Sequence, residues 1–202
     1  MENFVLEIPN FLSKDLCEEI IDRFEKSDRK TKGSYSCWSF NKLVTKNKYN
    51  EQLNITKYSE WKDVEEKIKP YIQKAIDAYY FHIFKNYDYD NQEWHPMDRI
   101  LKRACYDWGY LIHKIKKGDR YEWHLDGLPR DTEFMQMIIY LNTVTKGGRT
   151  FLVSKEHSGV KPETGKLLVF PCSWTFPHSG EEVGNDAKYI ISVILNAHPT
   201  PS

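Results

Sequence analysis

The stretch YLIHKIKKGDRYEWHLD, residues 110–126, decides the fold. Its first six residues alternate. Leu111, His113 and Ile115 fall on one side of an extended chain, and Ile112 and Lys114 on the other. Gly118 interrupts the run, and Tyr121 to Asp126 resume it, as two short strands joined by a turn would. The same period of two recurs in Phe134–Leu141, Arg149–Val153, Lys166–Phe170, Thr175–His178 and Lys188–Leu195. Gly127 with Pro129, and Gly147-Gly148, separate these runs. Seven or eight short strands at this spacing predict a sandwich or jelly roll.

Upstream the period is 3.6. Phe4–Ile8 reads as a short strand closed by Pro9-Asn10. Ser13 stands at a helix N-cap, followed by an apolar stripe of Leu16, Cys17, Ile20, Ile21 and Phe24. Ser59 caps a second helical stretch, whose buried face is Val64, Ile68, Ile72, Ala75, Ile76 and Tyr79. Pro70 within it predicts a kink or two abutting helices, because proline offers no N–H and crowds the preceding turn. Asp28–Lys48 and Asn86–Met97 read as loops. The expected class is mainly β with flanking helices. A single domain over 1–202 would have N-terminal helical and loop support (1–100) beneath a jelly-roll core (101–197).

Composition narrows the function. The 202 residues carry 29 Lys plus Arg and 29 Asp plus Glu, so the formal charge is zero. That argues against coating nucleic acid, which needs excess positive charge to displace counterions. The neutrality is a sum, however: Asp28–Lys48 holds six basic residues against one acidic. The four cysteines are scattered and form no C-x-x-C, as expected of reduced thiols. Neither a secretory leader nor an apolar stretch of about 20 residues is visible, which predicts a cytoplasmic protein.

Three positions suggest chemistry. His124 and Asp126 lie two apart, so on a strand both point to one face. His178 adds a second imidazole. Two histidines and a carboxylate hold one face of a non-haem Fe(II) and leave the other open. Singly, each reads otherwise: His-x-Asp as a polar outer strand face, His178 as a turn residue. Lys188 opens the last apolar strand, where a buried ammonium needs an anionic partner. At the strand's wet end it would instead reach water.

Together these residues resemble the Fe(II)- and 2-oxoglutarate-dependent oxygenase superfamily, in its prolyl 4-hydroxylase-like branch. Gly118-x-x-Tyr121-x-x-His124-x-Asp126 is similar to that family's first metal motif. Tyr140-Leu-Asn142 followed by Gly147-Gly-Arg-Thr150-Phe151 is similar to its central motif, and Val160-Lys-Pro162 with Gly165–Phe170 to its strand before the distal histidine. His178 is followed by Lys188 at the branch's ten-residue spacing. The likeness covers roughly Arg103 to Asn196. It implies a double-stranded β-helix in which His124, Asp126 and His178 bind Fe(II). It further implies that Lys188 and Tyr140 bind the C5 carboxylate of 2-oxoglutarate, with Ser192 beside the co-substrate. Where the branch often has a tyrosine, nine residues before the first ligand, this chain has Ile115. His113, on the same face, then either contacts the co-substrate or packs in the core.

The resemblance implies oxidative decarboxylation of 2-oxoglutarate by O₂ to succinate and CO₂, coupled to hydroxylation of a C–H bond. Ascorbate is the expected reductant for the iron. The leading substrate is a prolyl or other amino-acid residue in a peptide or protein. Nucleic acid, a small molecule, or a jelly-roll module without turnover are the alternatives. Arg130, Trp123 and Tyr121 are candidate substrate contacts, although solvent for Arg130 and packing for Trp123 and Trp108 are competing expectations.

Overall fold

A computed structural model describes residues 4–39, 42–84, 105–126, 133–153 and 159–197, with the side chains of 34–39, 42–49, 105–106 and 197 left aside. In chain order the elements are β1 (Leu6–Ile8), α1 (Lys14–Lys26), β2 (Thr31–Ser39), β3 (Lys42–Asn54), α2 (Lys62–Phe84), β4 (Cys105–Asp107), β5 (Leu111–Ile115), β6 (Tyr121–His124), β7 (Glu133–Tyr140), β8 (Thr150–Leu152), β9 (Leu167–Pro171), β10 (His178–Gly180) and β11 (Lys188–Ala197). The larger sheet runs β1-β9-β7-β11-β5-β3-β2, with β4 also paired to β11. The smaller one is β6-β10-β8. Every pairing among the described residues is antiparallel.

Alternation along the central strands separates two cores. On β7, Met135, Met137 and Ile139 face the helices, together with Ile191, Val193 and Leu195 of β11. Their partners include Leu16, Cys17, Ile20 and Phe24 of α1, and Val64, Ile68, Ile72 and Ala75 of α2. Opposite them, Ile138 and Tyr140 of β7, Leu168 and Phe170 of β9 and Ile190 of β11 fill the space toward the smaller sheet. A strand buried on both faces reads as a nearly continuous apolar run, as EFMQMIIY and LLVFP do.

Several expectations hold. Ser13 caps α1, its Oγ accepting from Leu16 N at 3.3 Å. Predicted strands appear within a few residues of their expected bounds, although the one expected at Thr175–His178 instead runs from His178 to Gly180. Others need correction. Asp28–Lys48 is no loop: most of it forms the hairpin β2–β3, which joins the larger sheet through β5. Its polar composition hid the alternation. Ser59 is not a cap but the first residue of a 3-10 turn, Ser59–Trp61, whose N-cap is Tyr58, without a side-chain cap hydrogen bond. A single helix continues through Pro70. That residue is exposed, so the Glu66 carbonyl that loses its amide partner faces solvent. Asn86–Met97 lies outside the described residues.

Candidate active site

His124 is the last residue of β6, and the β6–β10 register sets His178 directly across from it. The ring centroids are 4.1 Å apart. Asp126 sits two residues beyond the end of β6, in a bend, and not on the strand that alternation predicted. Its Oδ2 lies 3.2 Å from His178 Nε2 and its Oδ1 3.8 Å from His124 Nε2. The three donor atoms fall within 4.8 Å of one another.

Backbone carbonyls orient both imidazoles. His124 Nδ1 is 2.7 Å from the Glu122 oxygen, and His178 Nδ1 3.3 Å from the Phe176 oxygen. A carbonyl only accepts, so we assign the proton to each Nδ1. Both Nε2 lone pairs then turn toward the Asp126 carboxylate. Two neutral imidazole nitrogens and one carboxylate oxygen fit a divalent non-haem iron.

The cluster opens onto a cavity between the two sheets. Leu111, His113 and Ile115 of β5 line it together, as their alternation requires. From β11, Lys188, Ile190, Ser192 and Ile194 do so at every second position. Lys188 is only 5% exposed, and its Nζ donates to the Gly148 oxygen at 2.6 Å. Thr150 Oγ1 is 3.4 Å away, and the Tyr140 ring lies beneath the ammonium at 5.1 Å. Burial lowers the Lys188 pKa to about 7, with Glu181 opposing that shift. Glu181 is itself held by Arg149 at 2.8 and 2.9 Å, and this ion pair keeps its carboxyl below the usual range.

Tyr140 is wholly buried. Its hydroxyl donates to Thr150 Oγ1 at 2.7 Å, and Thr150 is the residue that reaches the cavity. His113 Nδ1 lies 2.6 Å from Asn50 Nδ2 and 3.1 Å from the Tyr121 hydroxyl. Asn50 Nδ2 also donates to that hydroxyl, and burial holds the phenol protonated by raising its pKa. Ser192 Oγ accepts from Gln136 Nε2 at 2.8 Å. Trp123 and Trp108 are 39% and 50% exposed, so neither is packed away as expected, and neither lines the cavity. Arg130 lies outside the described residues.

Sequence reasoning missed Asn50, Thr150 and Gln136 as wall or support residues. Gln136 is the polar exception in an apolar strand, which is a signal. Thr150 was visible only as a motif position. Asn50 gave none, being 63 residues from His113 and next to a segment read as loop.

Residues 110–196 match the sequence model of the 2OG-Fe(II) oxygenase superfamily. The match spans the strands that carry His124, Asp126, His178 and Lys188. No curated protein matches the chain in sequence. Among solved structures, the chain is similar to a prolyl hydroxylase from Trichoplax adhaerens in complex with a hypoxia inducible factor peptide fragment. The TM-score is 0.67 at 17% identity, covering 96% of this chain and 84% of that one. It is also similar to the viral collagen prolyl hydroxylase of Paramecium Bursaria Chlorella virus-1, with a TM-score of 0.62 at 16% identity and 97% of both chains covered. A Pseudomonas putida prolyl-4-hydroxylase aligns with a TM-score of 0.59 at 14% identity, covering 96% of this chain and 92% of that one. At such identities these likenesses establish the fold. The superfamily works with Fe(II), 2-oxoglutarate and O₂, which the histidine–aspartate–histidine cluster suits.

Proposed function

We propose that the oxygenase hydroxylates a C–H bond of an amino-acid residue, prolyl foremost, in a peptide or protein, with succinate and CO₂ as co-products. One observation carries this reading: a buried ammonium and a three-donor metal cluster face the same cavity. His124, Asp126 and His178 would hold Fe(II). When bound, the iron, with 2-oxoglutarate and O₂, supplies the oxidising chemistry that places one oxygen atom on the substrate carbon and the other in succinate.

The chain's own part is binding and orientation. Lys188 pairs with the C5 carboxylate of 2-oxoglutarate, which compensates the desolvated ammonium. Thr150 Oγ1 accepts from Tyr140, so its own proton is left to donate to the same carboxylate. Tyr140 therefore reaches the co-substrate through Thr150. His113 and Tyr121, tied to Asn50, form the side wall beside the metal cluster. The peptide held by the Trichoplax enzyme supports a peptide substrate for this chain. Trp123, at the exposed surface, is a proposed substrate contact outside the cavity, and Arg130 is a second proposed contact. No helix among the described residues is long and apolar enough to cross a membrane.

The test is anaerobic 2-oxoglutarate binding to the Fe(II) protein, followed by succinate formation with ascorbate present. A peptide panel is then screened for products that have gained one oxygen atom. Binding and turnover that vanish in His124→Ala support the reading. A wild-type protein that neither binds 2-oxoglutarate nor forms succinate, like the variant, would refute it.

A further inference from the structure

A second cavity, of about 310 Å³, lies on the outer face of the smaller sheet. Alternation puts it there. Trp123 and Ser179 each adjoin a histidine of the metal cluster and so point the opposite way, and Phe151 stands across from Ser179. Glu122, Glu181 and Glu182 join them, against one guanidinium, that of Arg120. Neither the three metal-cluster residues nor Lys188 line this cavity.

Most of the charge around it is already paired. Arg120 Nε donates to Glu122 at 2.8 Å. Arg149 holds Glu181 at 2.8 and 2.9 Å and lays its guanidinium over the Phe151 ring, 5.1 Å from the centroid. Three groups remain unanswered. Glu182 is exposed and in no ion pair among the described residues. The Trp123 ring, 39% exposed, carries no cation or stacked ring among them. In the floor, Ser179 is 4% exposed and its Oγ has no hydrogen-bond partner. An uncompensated carboxylate and an open indole face in one cavity favour a cation, since tryptophan is the best aromatic face for one. Arg149 on Phe151 already seats a cation in this way. A guanidinium suits the groove better than an ammonium, being planar and more weakly hydrated.

We infer that this outer groove binds an arginine side chain of the peptide substrate. The guanidinium stacks on Trp123 and donates to the Glu182 carboxylate. Among the described residues β6 is an edge of the smaller sheet, and His124 and Asp126 are partly exposed at its end. A peptide leaving the metal cluster therefore passes a single strand to reach the groove, a path of roughly 10–14 Å or about four extended residues. The groove sets substrate class: peptides with an arginine at about that distance from the hydroxylated residue are favoured. The identity of the occupant rests on the proposed oxygenase function, whereas the affinity of the groove for a cation does not.

Isotope-labelled protein loaded with Zn(II) tests the groove by NMR without turnover. N-acetylarginine amide and its neutral isostere N-acetylcitrulline amide are titrated in turn while the Trp123 indole N–H resonance is followed. Trp123→Phe identifies that resonance by its loss. The expected result is a saturable shift with the arginine probe, an affinity several-fold lower for citrulline, and a several-fold loss of arginine affinity in Glu182→Gln and at high salt. The occupant is tested on the peptide that the panel shows to be oxygenated. Arginine in place of citrulline, about four residues from the target, should lower KM several-fold with kcat unchanged, and should no longer do so in Glu182→Gln. Equal affinity for both probes, a shift with neither, an arginine affinity unchanged in Glu182→Gln, or a KM indifferent to the exchange would overturn the inference. Failure of the wild type to bind 2-oxoglutarate or to form succinate would instead strike the oxygenase reading and leave the probe titration standing.

Discussion

The two ends of the cavity are built differently. At the Lys188 end every participant belongs to the core: Tyr140 is fully buried, and Thr150 and Lys188 are each 5% exposed. At the metal end the His124 and Asp126 side chains keep 22% and 20% of their surface, on or just past the end of a short strand. The anchor is thus assembled by folding, at a cost in stability, since an ammonium is desolvated before any carboxylate arrives. On the proposed function, the histidine–aspartate–histidine cluster would bring a single carboxylate to a dication and be completed by the ion itself. One end should respond to mutation through stability and binding together, the other through activity alone.

The sharpest break comes at the metal end. His124→Ala or Asp126→Ala should lower succinate formation by about 10³-fold or more, and chelation should do the same. Either apo variant should melt within a degree or two of the apo wild type, because few core contacts are lost. A large drop in melting temperature would mean that the cluster, too, is part of the folding core.

At the anchor, Lys188→Met should weaken 2-oxoglutarate binding by about 10²-fold and yet raise the melting temperature. These opposite signs are the signature of a buried charge kept for a ligand. Calorimetry of binding and thermal unfolding read the two halves of that prediction.

A smaller effect depends on pH. The folded Lys188 pKa, about 7, lies below its ordinary 10.5. Between those values the unfolded chain holds the extra proton, so this group's contribution to stability improves as pH rises through the window. Binding the carboxylate restores the charge. Affinity for 2-oxoglutarate should therefore fall by up to about tenfold per pH unit above about pH 7, with proton uptake approaching one. Titrations in buffers of different ionisation enthalpy measure that uptake, and uptake near zero at about pH 8.5 would contradict the lowered pKa.

The smallest change belongs to the layer behind the anchor. Tyr140→Phe removes one neutral hydrogen bond to Thr150 and should weaken 2-oxoglutarate binding by about fivefold. Thr150→Val, which also takes the group facing the carboxylate, should exceed it. The reverse order would mean that Tyr140 contacts the co-substrate itself.

How far the sequence foretold this molecule depended on whether function or burial marked a residue. The strands from Leu111 onward were readable because both faces of the larger sheet are covered, which makes runs such as EFMQMIIY and LLVFP almost wholly apolar. His124, Asp126, His178 and Lys188 carried the metal end and the anchor, since their spacing repeats a family pattern. The hairpin β2–β3 was not readable, because lysines, serines and asparagines mask a strand's period. Support through space was equally silent: Asn50 reaches His113 and Tyr121 only after β3 has paired with β5. The same holds for Thr150, whose part follows from the Tyr140 hydroxyl and the Lys188 ammonium meeting at one oxygen.

The pairing of β6 with β10 has a further consequence. His124 faces His178 and Tyr121 faces Gly180, so three steps along one strand match two along the other. That extra residue lets Tyr121 and His124, an odd number apart, both turn inward. A regular ladder over the same residues would instead send the Tyr121 hydroxyl to the outside, away from His113. The offset, and not the identity of Glu122 or Trp123, keeps both rings on one side.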